Sequence, residues 1–236
     1  MGVLQHAAKP AQGEFPIALL GSLQHTLTGW TRRLLRDNRT FVRGYFEHVY
    51  RNEDPYAIAE DPEERKKRAA SIAVLNGRRF SEALEIGGGE GLLAEQLAKY
   101  VDSLLMVDLS KRALERAAAR LDGSANVRLG RLDVVTEPLP GVYDLIVCSE
   151  VLVYVQVGEL DAVRDKIIDG LRPGGTLLLV HSRSIHDDES GLEYKDIGAK
   201  TVHEPFLTDP RMRPEADETF EMYRITLLNK QDGEPT

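Results

Sequence analysis

The chain has 236 residues, 42% hydrophobic and 29% charged, the size and mix of one globular domain with a modest appendage and not of a disordered chain. Lys and Arg number 30 against 38 Asp and Glu, a net charge of −8, which argues against a sequence-independent grip on a nucleic-acid backbone. A single cysteine excludes an internal disulfide and a Cys-built zinc site and points to a reducing compartment. No apolar run reaches the roughly 18–20 residues that span a bilayer. The start MGVLQHAAKPAQG lacks the layout of a secretory signal, and His6 stands where a myristoylation pattern wants Ser or Thr. A cytoplasmic protein is expected.

The first ~15 residues hold small, polar and proline positions and read as loose. From Thr31 the pattern is helical: Phe41, Val42, Tyr45, Phe46, Val49 and Tyr50 form one apolar stripe. Asp54-Pro55 breaks it, and a charged helix is predicted from Pro62 to about Leu75. At Ala83 the character changes. Short apolar runs at Ala83–Gly87, Ser103–Leu109, Val127–Leu132, Tyr143–Ser149 and Thr176–His181 alternate with helix-like segments at Leu92–Tyr100, Lys111–Leu121 and Leu160–Leu171. Strands and helices in alternation mean crossovers over a parallel sheet buried on both faces. The run Glu221–Leu228 reads as a further strand in an antiparallel hairpin. The expected division is 1–78 for an extension and helical cap, 79–229 for the sheet and 230–236 for a frayed tail.

The first apolar run ends in Glu85, Gly87, Gly88, Gly89, Glu90 and Gly91 and enters a helix. Glycines permit a sharp turn and close approach of a ligand to the backbone, and a helix N-terminus offers unpaired N–H groups. The dinucleotide pattern G-x-G-x-x-G fails at its last position, where Leu92 stands. A carboxylate at Glu85 would repel phosphates and attract an ammonium group. Both details favour a ligand with adenosine at one end and a zwitterionic amino acid at the other. Asp108 ends the second run, where a carboxylate accepts both ribose hydroxyls in several nucleotide-binding families. Asp133, after the third run, is placed to accept the adenine amino group. The fourth run sets Ser149, Glu150 and Tyr154 beside the same crevice, and LRPGGTLLLV supplies a tight turn before the fifth.

The set ALEIGGGEG, VDLS, LD, YDLIVCSEVLVYV and LRPGGTLLLV, in this order over residues 80–183, resembles the class I S-adenosylmethionine-dependent methyltransferases. The entry Asp54-Pro55-Tyr56, then Asp61-Pro62-Glu63-Glu64 and Lys67, is similar to the DPW…NPYExxK entry of the NodS-like subgroup. Gly198–Glu204 (GAKTVHE) is similar to its GAETVHE stretch. Tyr56 replaces the Trp of that pattern, and Glu63 the aromatic before Glu64. The resemblance implies a Rossmann-like α/β fold: a seven-stranded, mostly parallel sheet with an antiparallel C-terminal hairpin and an N-terminal helical cap. It implies that S-adenosyl-L-methionine is bound, with Gly87, Gly89 and Gly91 around the methionine part and Glu85 near its ammonium. Asp108 would hold the ribose, Leu109 and Asp133 would meet the adenine, Ser149 would border the cofactor, and Glu64 and Lys67 would close over it. The acceptor implied is small and polar, a sugar or a glycosylated natural product, methylated on N or O.

An alcohol acceptor needs a base, and the candidates are His181, Glu150 and His203. The alternatives are a histidine that ends a strand, a helix cap near Val151, and, for His203, a residue on a helix surface. Tyr154 reads as packing. Arg183 is suited to an anionic substrate or to the acidic stretch after it. His186, Asp187, Asp188 and Glu189 offer hard ligands, but an exposed acidic loop needs no metal and none is expected. Arg32, Arg33, Arg36, Arg39 and Arg43 are suited to a diphosphate or an acidic neighbouring subunit, or form a solvated helix face. An NAD-linked oxidoreductase, a methyltransferase-like binding protein without catalysis, and an RNA methyltransferase are weighed as alternatives. The glycine spacing, the intact Glu85–Asp108 set and the net charge speak against them in turn. No nucleic-acid or membrane partner is expected, and the apolar stripe of the cap would suit a homodimer.

Overall fold

A computed structural model describes residues 39–183 and 197–233, with side chains from residue 42 onward. In chain order the elements are α1 (Arg39–Val49), α2 (Pro62–Ala73), β1 (Phe80–Ile86), α3 (Ala94–Leu97), β2 (Val101–Asp108), α4 (Lys111–Arg120), β3 (Val127–Arg131), β4 (Tyr143–Ser149), α5 (Leu160–Asp169), β5 (Leu171–Ser182), α6 (Ala199–Leu207), β6 (Met212–Thr219) and β7 (Tyr223–Lys230). The seven strands form one sheet in the order β3-β2-β1-β4-β5-β7-β6. The pairs among β1 to β5 are parallel, whereas β7 runs antiparallel to β5 and to β6. The expected Rossmann-like sheet with an antiparallel C-terminal hairpin is therefore present. Among the described residues, no helix is long and apolar enough to cross a membrane.

Alternation along the central strands divides the core into two layers. Ile146, Cys148, Leu177 and Leu179 face one side with Ile167 of α5 and Phe206 of α6. Leu145, Val147, Leu178 and Val180 face the other with Leu97 of α3 and Ala117 of α4. Burial on both faces is why these strands read as continuous apolar runs. Helix α2 joins the second layer through Ala70 and Ile72, so the cap shares the core of the sheet. Its start follows the local rules: Asp61 accepts the Glu64 N–H at 2.8 Å, and Pro62 opens the first turn.

Three boundaries differ from expectation. β1 begins at Phe80, before its apolar run, because Glu82 sits at the exposed end and donates its N–H to Asp144. Regular α-helix after the glycine loop shrinks to Ala94–Leu97, with i−3 bonds closing its end at Tyr100. β5 takes in the whole LRPGG segment, whose turn is absorbed as a register shift against β4 between Tyr143 and Leu145. Gln231 is still held by the Arg211 and Pro210 carbonyls.

Candidate active site

Strands β1 and β4 are neighbours although β2 and β3 intervene in sequence. The order reverses there, and a parallel sheet opens a crevice at the carboxyl ends of its strands at such a point. β1 ends with Ile86 paired to both Val107 and Cys148, which sets the glycine loop at the crevice. The Gly87 and Gly88 N–H groups donate to the Val107 carbonyl at 2.8 and 3.2 Å. Gly87, Gly89 and Gly91 all have positive φ, at 76°, 56° and 81°. A Cβ on Gly87 would stand 2.5 Å from the Val151 side chain, so that position admits glycine alone. Glu90 anchors the loop from outside, ion-paired to Arg116 of α4 at 2.5 Å, while Arg120 donates to its carbonyl at 3.0 Å.

Two buried carboxylates face this loop. Asp108 accepts the Gly89 N–H at 2.9 Å and the Ser110 N–H at 2.8 Å. Burial raises its pKa, and the two backbone donors oppose that rise. Glu85 is 2% exposed, and its Oε2 has no hydrogen-bond partner among the described residues. Burial, and next the Asp108 charge, push its pKa up to about 8. A buried acid with an orphaned oxygen beside a glycine cradle is poised for a cationic group that the described residues do not supply.

On the far side of the loop, Asp133 accepts the Val135 N–H at 3.0 Å, and the Leu109 carbonyl accepts from Arg131 at 3.1 Å. Ser149 closes β4, and Glu150 follows with φ of 53°, a left-handed conformation costly for a side-chain-bearing residue and frequent at working sites. Glu150 accepts from Lys67 Nζ at 2.9 Å and from the Ser182 hydroxyl. Lys67 also donates to Glu64 at 2.7 Å, with a side chain only 6% exposed. Its burial lowers its pKa, but the Glu150 and Glu64 carboxylates outweigh this and the net pKa is raised. Lys67→Met is expected to destabilise the protein by about 2 kcal/mol, since it leaves two partly buried carboxylates adjacent and uncompensated. Urea unfolding measures this, and Glu150→Gln in the same chain should recover part of the loss.

His181 and His203 are both fully buried, so the helix-surface reading of His203 is corrected: its face of α6 packs on the sheet. The Leu152 N–H donates to His181 Nε2 at 3.2 Å. That fixes the His181 proton on Nδ1, which faces His203 Nε2 at 2.9 Å. His203 then carries its proton on Nδ1, 2.7 Å from the Thr226 hydroxyl, and Thr226 donates to Asp217 at 2.8 Å. Burial, then the neighbouring His181 and Arg224, hold the His203 pKa well below the ordinary value. All four ring nitrogens are thus engaged inside the protein, and the pair fixes the turn after β4. Arg183 is likewise turned inward, donating to the Phe220 and Glu221 carbonyls at 3.1 and 2.8 Å.

Two residues that the sequence pattern does not assign to a site border the same crevice. Glu47 of α1 accepts the Lys111 N–H at 2.8 Å and also receives the Ser110 hydroxyl at 3.3 Å. Tyr50, just beyond α1, lays its hydroxyl 2.8 Å from where a Cβ on Gly89 would stand. Tyr154 packs edge-on against Phe46 with ring centres 4.9 Å apart. Among the described residues, no group of three or more His, Cys, Asp or Glu is placed to hold a metal ion. His186 to Glu189, and Arg32, Arg33 and Arg36 with the Arg39 side chain, lie outside the described residues; Arg43 is exposed.

Residues 40–207 match the family model described as Nodulation protein S (NodS). The chain belongs to the NodS family. NodS relatives include Nodulation protein S of Azorhizobium caulinodans, 33% identical over 133 residues, or 56% of this chain and 64% of that protein. Nodulation protein S of Rhizobium tropici is 29% identical over 152 residues, 64% of this chain and 63% of that protein. The chain thus spans just under two thirds of these relatives. Among solved structures, N-methyltransferase NodS from Bradyrhizobium japonicum WM9 in complex with S-adenosylhomocysteine superposes with a TM-score of 0.69 at 24% identity. That match covers 80% of this chain and 97% of the NodS chain. A putative methyltransferase from Pseudomonas syringae gives 0.61 at 27% identity, over 71% of this chain and 99% of that one.

Proposed function

We propose that this chain is an S-adenosyl-L-methionine-dependent methyltransferase acting on a nitrogen of a small polar acceptor of the sugar or glycosylated natural-product class. The observation that carries the cofactor reading is the buried, partly orphaned Glu85 carboxyl at the mouth of a glycine cradle. Its acid character fits the ammonium of the cofactor and not a pyrophosphate. Gly87, Gly89 and Gly91 would leave room for the methionine part, and Asp108 would accept from the ribose. Leu109 and Asp133 would border the adenine, with Ser149 at the edge. When bound, the cofactor supplies a methyl group already activated by a sulfonium.

The chain's own task is then to align the acceptor and exclude water. Glu150, steadied by Lys67 and Ser182, is suited to orient an amine from the β4 edge, and Glu64 acts on it through Lys67. The amine reading draws support from the N-methyltransferase in the family. It also fits the engagement of both His181 and His203 inside the fold, since a neutral amine needs no imidazole base. After β5 the sheet turns into an antiparallel hairpin, which speaks against the second nucleotide half of an oxidoreductase. The lone Cys148, buried in the sheet, suits a reducing, cytoplasmic setting.

Calorimetric titration with S-adenosylhomocysteine and with NAD tests the cofactor. Micromolar binding of the first and none of the second is expected, and the reverse would sink the proposal. Asp108→Ala should weaken S-adenosylhomocysteine binding by about tenfold or more. Radiolabelled donor offered to amino sugars and to their N-acetylated forms tests the acceptor atom. Label on the free amines alone is expected, and equal labelling of the acetylated forms would overturn nitrogen as the target.

A further inference from the structure

The cap carries an unassigned hydroxyl into the crevice. Tyr50 follows the last turn of α1, its N–H donating to the Phe46 carbonyl at 3.1 Å. Its ring stands edge-on to Tyr56, with centres 6.2 Å apart. Its hydroxyl lies so close over Gly89 that a methyl group there would leave only 2.8 Å between them. The Gly89 N–H in turn donates to Asp108 Oδ2, so phenol, glycine and carboxylate form one group.

Helix α1 is fixed to the other side of that group as well. Glu47 accepts from the backbone of Lys111 and from the Ser110 hydroxyl, while the Ser110 N–H donates to Asp108 Oδ1 at 2.8 Å. Burial, and then the Asp108 charge, raise the Tyr50 pKa well above its ordinary value. The phenol therefore stays protonated and is a hydrogen-bond donor. Yet none of the described residues is recorded as taking that proton.

We infer that Tyr50 is a cofactor-contacting residue supplied by the cap, its hydroxyl donating a hydrogen bond to the ribose held by Asp108; this rests on the cofactor reading above. Asp108 offers acceptors to the ribose hydroxyls, and the phenol offers a donor to a ribose oxygen from the opposite side. The cap thereby completes the cofactor site and does not serve the acceptor alone.

The test compares wild type and Tyr50→Phe, which keeps the ring and its contact with Tyr56, in titrations with S-adenosylhomocysteine and 5′-methylthioadenosine. The second ligand has the ribose and lacks the amino-acid part. Roughly fivefold weaker binding of both ligands is expected, the scale of one neutral hydrogen bond, with an unchanged thermal midpoint. Wild-type affinity of the variant for both ligands would overturn the inference. So would a loss confined to S-adenosylhomocysteine, which would put the hydroxyl at the amino-acid end. A wild type that binds neither ligand would instead overturn the cofactor reading.

Discussion

Affinity for S-adenosylhomocysteine is expected to rise with pH by up to about tenfold per unit between pH 6 and 8, then level off. The cause is Glu85. Without ligand its pKa is pushed up to about 8 by burial and by Asp108, so at pH 7 most of the population is protonated. A ligand ammonium selects the carboxylate, and binding must expel the proton. Calorimetry in two buffers of different ionisation enthalpy should therefore count close to one proton released at pH 7. Glu85→Gln should abolish the release and flatten the profile, with affinity at pH 8 reduced by roughly a hundredfold. A wild-type profile without slope would show that Glu85 does not meet the ammonium.

The same group shapes the stability of the ligand-free protein. The folded pKa lies above the unfolded value of 4.5, so the folded state holds a proton that the unfolded chain has released. Stability from this source is complete below pH 4.5 and drains away as pH rises to 8, by on the order of 4 kcal/mol. Glu85→Gln should remove that decline, making the variant more stable than wild type at pH 8 while it binds less well.

Gly87→Ala is expected to cost about 3 kcal/mol of stability and most of the affinity for S-adenosylhomocysteine. About 1 kcal/mol comes from an alanine held at φ of 76°. The rest comes from a Cβ forced within 2.5–2.6 Å of Val151, which displaces either the loop or the turn carrying Glu150. The two parts are separable. Introduced into a Val151→Gly background, which removes both the Cβ and the Cγ2 that the new methyl would meet, the same change should cost only the backbone part. Urea unfolding of the four proteins measures the difference, and equal costs in both backgrounds would show that no clash exists.

The strands were legible from Ala83 onward because central strands buried on both faces carry unbroken apolar runs, and the residues at their ends fall together once the sheet is parallel. Glu85, Gly87, Gly89, Gly91 and Asp108 could be named together for that reason. Glu47 and Tyr50 could not. Glu47 reaches Lys111 across 64 positions of sequence, and Tyr50 sat in an apolar stripe whose period speaks of packing only. The burial of His203 is not legible either, because a helix face is assigned by its neighbours, and those are His181 of β5 and Thr226 of β7, 22 and 23 positions away. The proton order through His181, His203 and Thr226 depends on one backbone donor, Leu152, which no side-chain pattern announces.

The strand order also has an evolutionary consequence. β1, β2 and β3, on one flank of the reversal, carry the glycine loop, Asp108, Leu109 and Asp133 that are proposed to hold the donor. β4 and β5, with the β6–β7 hairpin behind them, lie on the other flank. The imidazole chain ties that second flank to the hairpin. Substitutions or insertions in the hairpin can therefore reshape the β4 edge without touching β1 to β3. On the proposed function, a lineage built on this plan is free to change what it modifies while inheriting its methyl source intact.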